Sequence, residues 1–284
     1  MYFHRYDNLQ HILQLDPVQD HCQIYNLING YEFPWDMTRS LEVALMKTYC
    51  VPSISKLLDK TGEFNKRPQK RYDDTSIIVV EMVKCGYDSE RGRQALERMN
   101  AIHGRFKIAN EDFLYVLSTF IYEPIRWNAC FGWRRMCEQE ILASFYFWRE
   151  VGKRMHIQNI PETYAEFERY NIEYEQANFI YSESNARVGE ATSGLFLSWF
   201  PWWMRFFVKP GLYALFDKTM LDAFGFEPAP KFLQDAVANS LKIRGKILRF
   251  CPPLTRPHFI IDYPIRSYPN GYEISQLGAK DKAE

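Results

Sequence analysis

The sequence has little glycine, 14 residues in 284, and nothing that alternates as a strand does, so a sheet-based fold is excluded in favour of helices. It has no excess of charge: 35 Lys and Arg are matched by 35 Asp and Glu, and no basic face for nucleic acid is called for. The six cysteines, at 22, 50, 85, 130, 137 and 251, make neither a CxxC pair nor a zinc spacing. In a chain too long to need disulfide staples they read as reduced, mostly buried thiols of a reducing compartment. A Gly-rich phosphate loop and a nucleophile elbow are both missing, so nothing supports a nucleotide enzyme or a hydrolase. Paired Glu-x-x-His motifs are missing too, which argues against a di-iron bundle. The opening residues, MYFHRYDNLQHILQLDPVQD, lack a basic-then-apolar signal, and no run of about 18 or more apolar residues occurs. The expectation is a soluble, cytoplasmic protein.

What is present is apolar and aromatic. Hydrophobic residues make up 46% and charged residues 25%, the composition of a well-cored chain. Seven Trp and 21 Phe imply large apolar surfaces or a large hydrophobic pocket.

In chain order, residues 1–30 read as a packing arm, punctuated by Pro17 and by Asn29-Gly30. A helix capped by Asp36 or Thr38 carries Leu41, Leu45, Met46 and Tyr49 at helical spacing and ends before Pro52. A short helical turn at 53–58 and a polar surface loop at 61–70 follow. Asp73 or Asp74 then caps a helix that stops at Gly86. Asn110 caps another, with Phe113, Leu114, Leu117, Phe120 and Ile121 on its buried face, ending at Glu123-Pro124. A long helix is expected over 134–156, one continuous helix from Pro161 to about Thr192, and further helices over 211–224 and 231–249. Glu140 and His156 are too far apart on one helix to chelate an ion together. The most apolar stretch runs from Gly194 to Val208, GLFLSWFPWWMRFFV, broken by Pro201 and Arg205. It is a buried hairpin, a lid for a greasy substrate, or a peripheral contact with a bilayer. From Cys251 onward a proline-rich tail wraps the body. The whole is expected to be one domain over 1–284, with its core at about 33–250, an arm at 1–30 and a wrapping tail at 251–284.

The centre of this plan is RGRQALERMNAIHGRF, residues 91–106. Ala95, Leu96, Met99, Ile102, His103 and Phe106 fall on one stripe, so the segment is an amphipathic helix with a histidine on its buried face. A lone buried imidazole is ordinarily a core residue held by one hydrogen bond.

RMNAIHGRF, followed by NEDFLYVLSTFIYEPIRW and FWREVGKRMHI, resembles the MpaB-type oxygenase family, which includes the rubber-cleaving latex clearing proteins. The resemblance runs from about Asp16 to Gly278 and is closest to the fungal branch. It implies an all-α helical bundle, globin-like around a b-type haem, with His103 as the axial iron ligand. It also implies an oxygenase that uses O2 on an apolar, isoprenoid- or lipid-like substrate, by oxidative cleavage between double-bond carbons. Arg71 and Thr75 match in spacing an Arg and a Thr on the distal side of the haem. Asp74 stands where rubber oxygenases carry a distal lysine. An aspartate is a poor sixth ligand, so a different distal site and a different reaction are implied. The catalytic glutamate of rubber oxygenases has no clear counterpart here; Glu63 is the nearest in sequence. Lys107, one helical turn past His103, is placed to neutralise a haem propionate or else to lie as a surface lysine. The fungal members are bound to membrane through an N-terminal anchor that this sequence does not display, which leaves 194–208 as its own candidate for peripheral contact. The alternative class is a non-catalytic haem or lipid carrier or sensor that keeps His103.

Overall fold

A computed structural model describes residues 4–279, and the ends of the arm and the tail, 1–3 and 280–284, lie outside them. The fold is all-α. Among the described residues there are fourteen α-helices and no strand, only an isolated bridge between Ile265 and Tyr268. The helices are α1 Asp7–Ile12, α2 His21–Leu27, α3 Pro34–Tyr49, α4 Pro52–Thr61, α5 Glu63–Lys66, α6 Pro68–Cys85 and α7 Glu90–His103. They continue with α8 Asn110–Phe131, α9 Glu138–Arg154, α10 Tyr164–Asn178, α11 Glu183–Ser198, α12 Arg205–Tyr213, α13 Lys218–Phe224 and α14 Lys231–Leu248.

The larger core gathers the inner faces of α2, α3 and α6 to α9, with Ile24, Tyr25, Ile77, Met82, Ile121 and Phe147 fully shielded. A smaller one joins the end of α3 to α11 and α13 through Met46, Tyr49, Phe196, Met220 and Phe224. α8 runs through the middle, packed on α3, α9 and α10.

The element boundaries depart from expectation where tertiary partners outweigh local signals. The expected loop at 61–70 holds α5 and the first turn of α6. Left-handed Gly62 (φ 70°) separates α4 from α5, and Pro68, which needs no helical N–H partner, opens α6. Asp73 and Asp74 are therefore mid-helix rather than caps. The helix expected to stop at Glu123-Pro124 continues to Phe131, since one missing N–H is a small loss in a helix packed on three neighbours. The expected helix from 161 to 192 is two: Thr163 caps α10 and Ser182 caps α11, each side chain accepting from a backbone N–H. α9 begins at Glu138 rather than near 134, with Cys137 at its N-cap and the Glu140 side chain accepting from the Cys137 N–H at 2.8 Å. All six cysteines are free, but Cys85 and Cys130 are exposed and only Cys50 is buried, so the expectation of mostly buried thiols fails. The tail crosses the body with two short 3-10 turns, Ile260–Asp262 and Ile274–Gln276. No helix among the described residues is long and apolar enough to cross a membrane.

Candidate functional site

The site is built on the hairpin of α6 and α7. Gly86 (φ 81°) turns the chain, and the Ser89 side chain caps α7 by accepting from the Gly92 N–H at 3.0 Å. A Cβ at Gly92 would lie 1.9 Å from the Gly86 carbonyl oxygen, so only glycine permits so tight a return. Because α7 runs back along α6, its last residue, His103, meets the first turns of α6. That is why Arg71 and Thr75, distant in sequence, share a neighbourhood with the imidazole.

His103 packs edge-on against Phe113 of α8, ring centroids 5.4 Å apart. Its Nδ1 is buried and has no hydrogen-bond partner. Burial, reinforced by the nearby Arg71 guanidinium, lowers its pKa to about 4, so the ring is neutral at ordinary pH. Buried polar atoms are nearly always paired, and His103 Nδ1 is the one imidazole nitrogen among the six buried side-chain N or O atoms left without a partner among the described residues. Arg71 donates to the Thr75 hydroxyl and stands 5.5 Å over the Phe64 ring. Thr75 Oγ1 in turn donates to the Arg71 carbonyl at 3.0 Å. Among the described residues no carboxylate pairs with Arg71.

Thr75 also lines a cavity of about 270 Å³ between α3 and α6, closed by Phe120 and by His258, Phe259 and Ile260 of the tail. Its walls are mostly apolar, including Met37, Leu41, Leu45, Val79 and Val80. One carboxyl, Glu42 of α3, faces it. Burial raises the Glu42 pKa from 4.5 to about 7, against the opposing pull of Arg39 and of the Tyr72 hydroxyl, which donates to Oε1 at 2.6 Å. The Arg39 Nη2 lies 2.8 Å from the same oxygen. Sequence reasoning passed over Glu42. The available signal was a carboxylate within the apolar stripe of Leu41, Leu45, Met46 and Tyr49, where a charge has to be explained.

The remaining expected site residues are placed elsewhere. Asp74 points away from His103 to the tail, where its carboxylate accepts from Lys70 Nζ at 2.7 Å, the Gly278 N–H at 3.0 Å and the Tyr268 hydroxyl. Asp73 does the same for the Ser267 N–H at 3.0 Å. With its acceptor positions taken up in this way, Asp74 acts as a tail anchor. Lys107 is not one helical turn past His103, because α7 ends at His103 and the chain leaves through Gly104 into an irregular, exposed segment. Glu63 is gripped by Arg67 through two hydrogen bonds of 2.6 and 3.0 Å, on the outside of the protein. Glu140 is taken by Arg134.

The residues fit a haem in the respects that can be tested. One neutral imidazole offers an unpartnered ring nitrogen and a guanidinium without a carboxylate lies near it; the apolar cavity is lined by Thr75 but not by His103 or Arg71. Among the described residues no group of three or more His, Cys, Asp or Glu is arranged to hold a metal ion. The single histidine suits an iron that arrives with its own macrocycle.

The sequence places the chain in an oxygenase family. Residues 37–241 match the family described as ER-bound oxygenase mpaB/B'/Rubber oxygenase, catalytic domain, and the chain is a member of it. A stretch of 132 residues, 44% of the chain, is 36% identical to the ER-bound oxygenase mpaB of Penicillium brevicompactum, covering 34% of that protein. The same organism's ER-bound oxygenase mpaB' is 36% identical over 132 residues, 31% of its length. The mpaB of Penicillium roqueforti (strain FM164) is 36% identical over 132 residues, 44% of its length. The match thus spans less than half of each of these relatives.

Proposed function

We propose that the protein is a haem b-dependent oxygenase acting on an apolar, isoprenoid- or lipid-like substrate, with oxidative cleavage of a carbon–carbon double bond by O2 as the reaction. The observation that carries this reading is the buried, unpartnered Nδ1 of a neutral His103 in a chain of this family. His103 would hold the iron, and Arg71, with no carboxylate of its own, would neutralise an anionic side group of the macrocycle. Haem, when bound, supplies the binding and activation of dioxygen.

The protein's own residues do the rest. The walls of the cavity orient an apolar chain and exclude water. The Arg71–Thr75 pair keeps polar hydrogens beside that cavity. Glu42, with a pKa near 7, is poised to take a proton from the substrate or return one at physiological pH, with Tyr72 steadying its Oε1. The relatives' names include the word ER-bound, and the exposed rings of Trp202, Trp203, Phe206 and Phe207 support a peripheral membrane contact through 194–208.

The test is the visible spectrum of protein produced with haem supply, beside His103→Ala. The expected result is a Soret band in the wild type that is lost or strongly shifted in the variant. Folded wild-type protein with no Soret band would overturn the haem reading. A band without oxygen-dependent turnover of any apolar alkene would leave a carrier or sensor.

A further inference from the structure

α14 is apolar on two sides. Leu233, Val237, Leu241 and Leu248 turn inward, and Gly245 lets the helix press on α8 so closely that a Cβ there would stand 2.7 Å from the Phe131 carbonyl oxygen. Phe232, Ile243 and Ile247 on the opposite side of α14, and Phe250 just past its end, are 75%, 54%, 59% and 87% exposed. A helix of a water-facing surface has no need of that second stripe. α14 also packs against α12, whose entry carries Trp202 and Phe206 at 80% and 82% exposure.

Charge singles out the same surface. The chain is neutral overall, yet 191–216 and 236–261 contain no Asp or Glu. They carry Arg205, Lys209, Lys242, Arg244, Lys246, Arg249 and Arg256, of which, among the described residues, only Arg244 meets a carboxylate, Asp36 at 2.9 Å. Exposed cations therefore flank the exposed rings with no acid in either stretch, and the one carboxylate on that side of α14, Asp235, is paired with Lys231 at 3.0 Å. A second copy packed on this face about a two-fold axis would set Lys242, Lys246 and Arg249 near their own images, a repulsive arrangement. An anionic lipid surface complements both features at once.

We infer that the outer stripe of α14, with Lys242, Lys246 and Arg249 beside it, is a docking surface for an anionic phospholipid bilayer, continuous with the ring cluster at 202–207. The inference deepens the peripheral-contact reading and adds a second element, a lipid charge preference and a relation to the cavity. Arg244 stacks on Trp35 at 3.7 Å, and Trp35 lines the cavity mouth. The acid-free stretch that follows α14 supplies His258, Phe259 and Ile260 to the cavity wall. Docking on α14 sets that rim against the membrane, where an apolar substrate dissolves.

The test is co-sedimentation of the full chain with vesicles of phosphatidylcholine alone or mixed with phosphatidylserine, at low and high salt. Three variants accompany it: Ile247→Ser with Phe250→Ser, Lys242→Glu with Lys246→Glu, and Trp202→Ser with Phe206→Ser. All six positions are exposed, so helix content by circular dichroism should match the wild type. Expected is binding that requires phosphatidylserine and weakens with salt, falls at least about tenfold in the Ile247/Phe250 variant, and falls about fivefold or more per lost cation. If only the Trp202/Phe206 variant loses binding, the α14 inference is overturned while the contact at 202–207 survives. If the wild type binds no vesicle, both fail. Binding indifferent to lipid charge overturns the anionic assignment, and a solution dimer broken by Phe250→Ser without vesicle binding assigns the face to a second copy instead.

Discussion

Charge is buried in two different ways on the two sides of this molecule. At Arg134 the guanidinium and both its carboxylates are partnered, although the Nε of neighbouring Arg5 is buried without a partner: Nη2 lies 2.6 Å from Glu32, Nη1 lies 2.6 Å from Glu140, and the Cys137 N–H adds a bond of 2.8 Å to the same Glu140 carboxylate. Asn8 donates to the other Glu32 oxygen at 3.2 Å. At His103 an imidazole nitrogen meets nothing and the nearby Arg71 guanidinium has no carboxylate, while Glu42, in the cavity that Thr75 lines, has Arg39 and Tyr72 beside it and yet a pKa that burial raises. The two carboxylates at Arg134 are more deeply buried than Glu42, so depth does not explain the contrast. Satisfaction does. A closed network fixes the chain, whereas open valences in a packed interior are tolerated where a ligand will complete them.

The comparison is tested most severely at Arg134. Arg134→Met leaves Glu32 and Glu140 buried without a counter-charge, and the expected loss is about 3–5 kcal/mol, read from the midpoint of urea unfolding. A loss below about 1 kcal/mol would show that the network is dispensable, and the distinction between closed and open sites would lose its basis.

Glu42 gives a smaller effect with a distinctive sign. Its folded-state pKa, about 7, stands above the ordinary 4.5, so between those values the folded protein holds a proton that the unfolded chain has released. Stability from this group is complete below about pH 4.5 and is lost as pH rises through 7, on the order of 3 kcal/mol in all. A carboxylate whose pKa its counter-charge pulls below the ordinary value would show the reverse slope. Thermal unfolding followed from pH 4.5 to 7 should show this fall in the wild type and a flatter profile in Glu42→Gln. Equal slopes would mean that Arg39 keeps Glu42 ionised and that the cavity holds no titrating acid.

Much of this was legible in the sequence. The amphipathic stripe put His103 on an inward face, and low glycine with absent alternation announced an all-α fold. The Arg71–Thr75 spacing carried over as well, because residues one helical turn apart stay neighbours wherever the helix goes. What could not be read was anything set by contacts distant in sequence. Asp73 and Asp74 looked like caps because Asp favours that position, yet their partners, Ser267, Tyr268 and Gly278, belong to the far end of the chain. Lys107 was misplaced by assuming that α7 ran on past Gly104. Glu42 stood within the apolar stripe of its helix as a charge to be explained, but the cavity that explains it is formed by residues distant in sequence.

Asp74 brings the two kinds of site to adjacent residues, and so sharpens the comparison at the smallest scale. It follows Asp73 and precedes Thr75, but its carboxylate belongs to the closed kind, holding Lys70, Tyr268 and the Gly278 N–H. Asp74→Asn keeps the shape and weakens charge-assisted bonds, so the expected loss is about 1–3 kcal/mol. It should appear chiefly as faster amide exchange and easier proteolysis in the tail over 263–279, with the Soret band of haem-supplied protein unmoved. A changed Soret band with an unchanged tail would reverse the assignment: Asp74 would then belong to the open site beside Thr75, and its hydrogen bonds to the tail would be incidental to what it does.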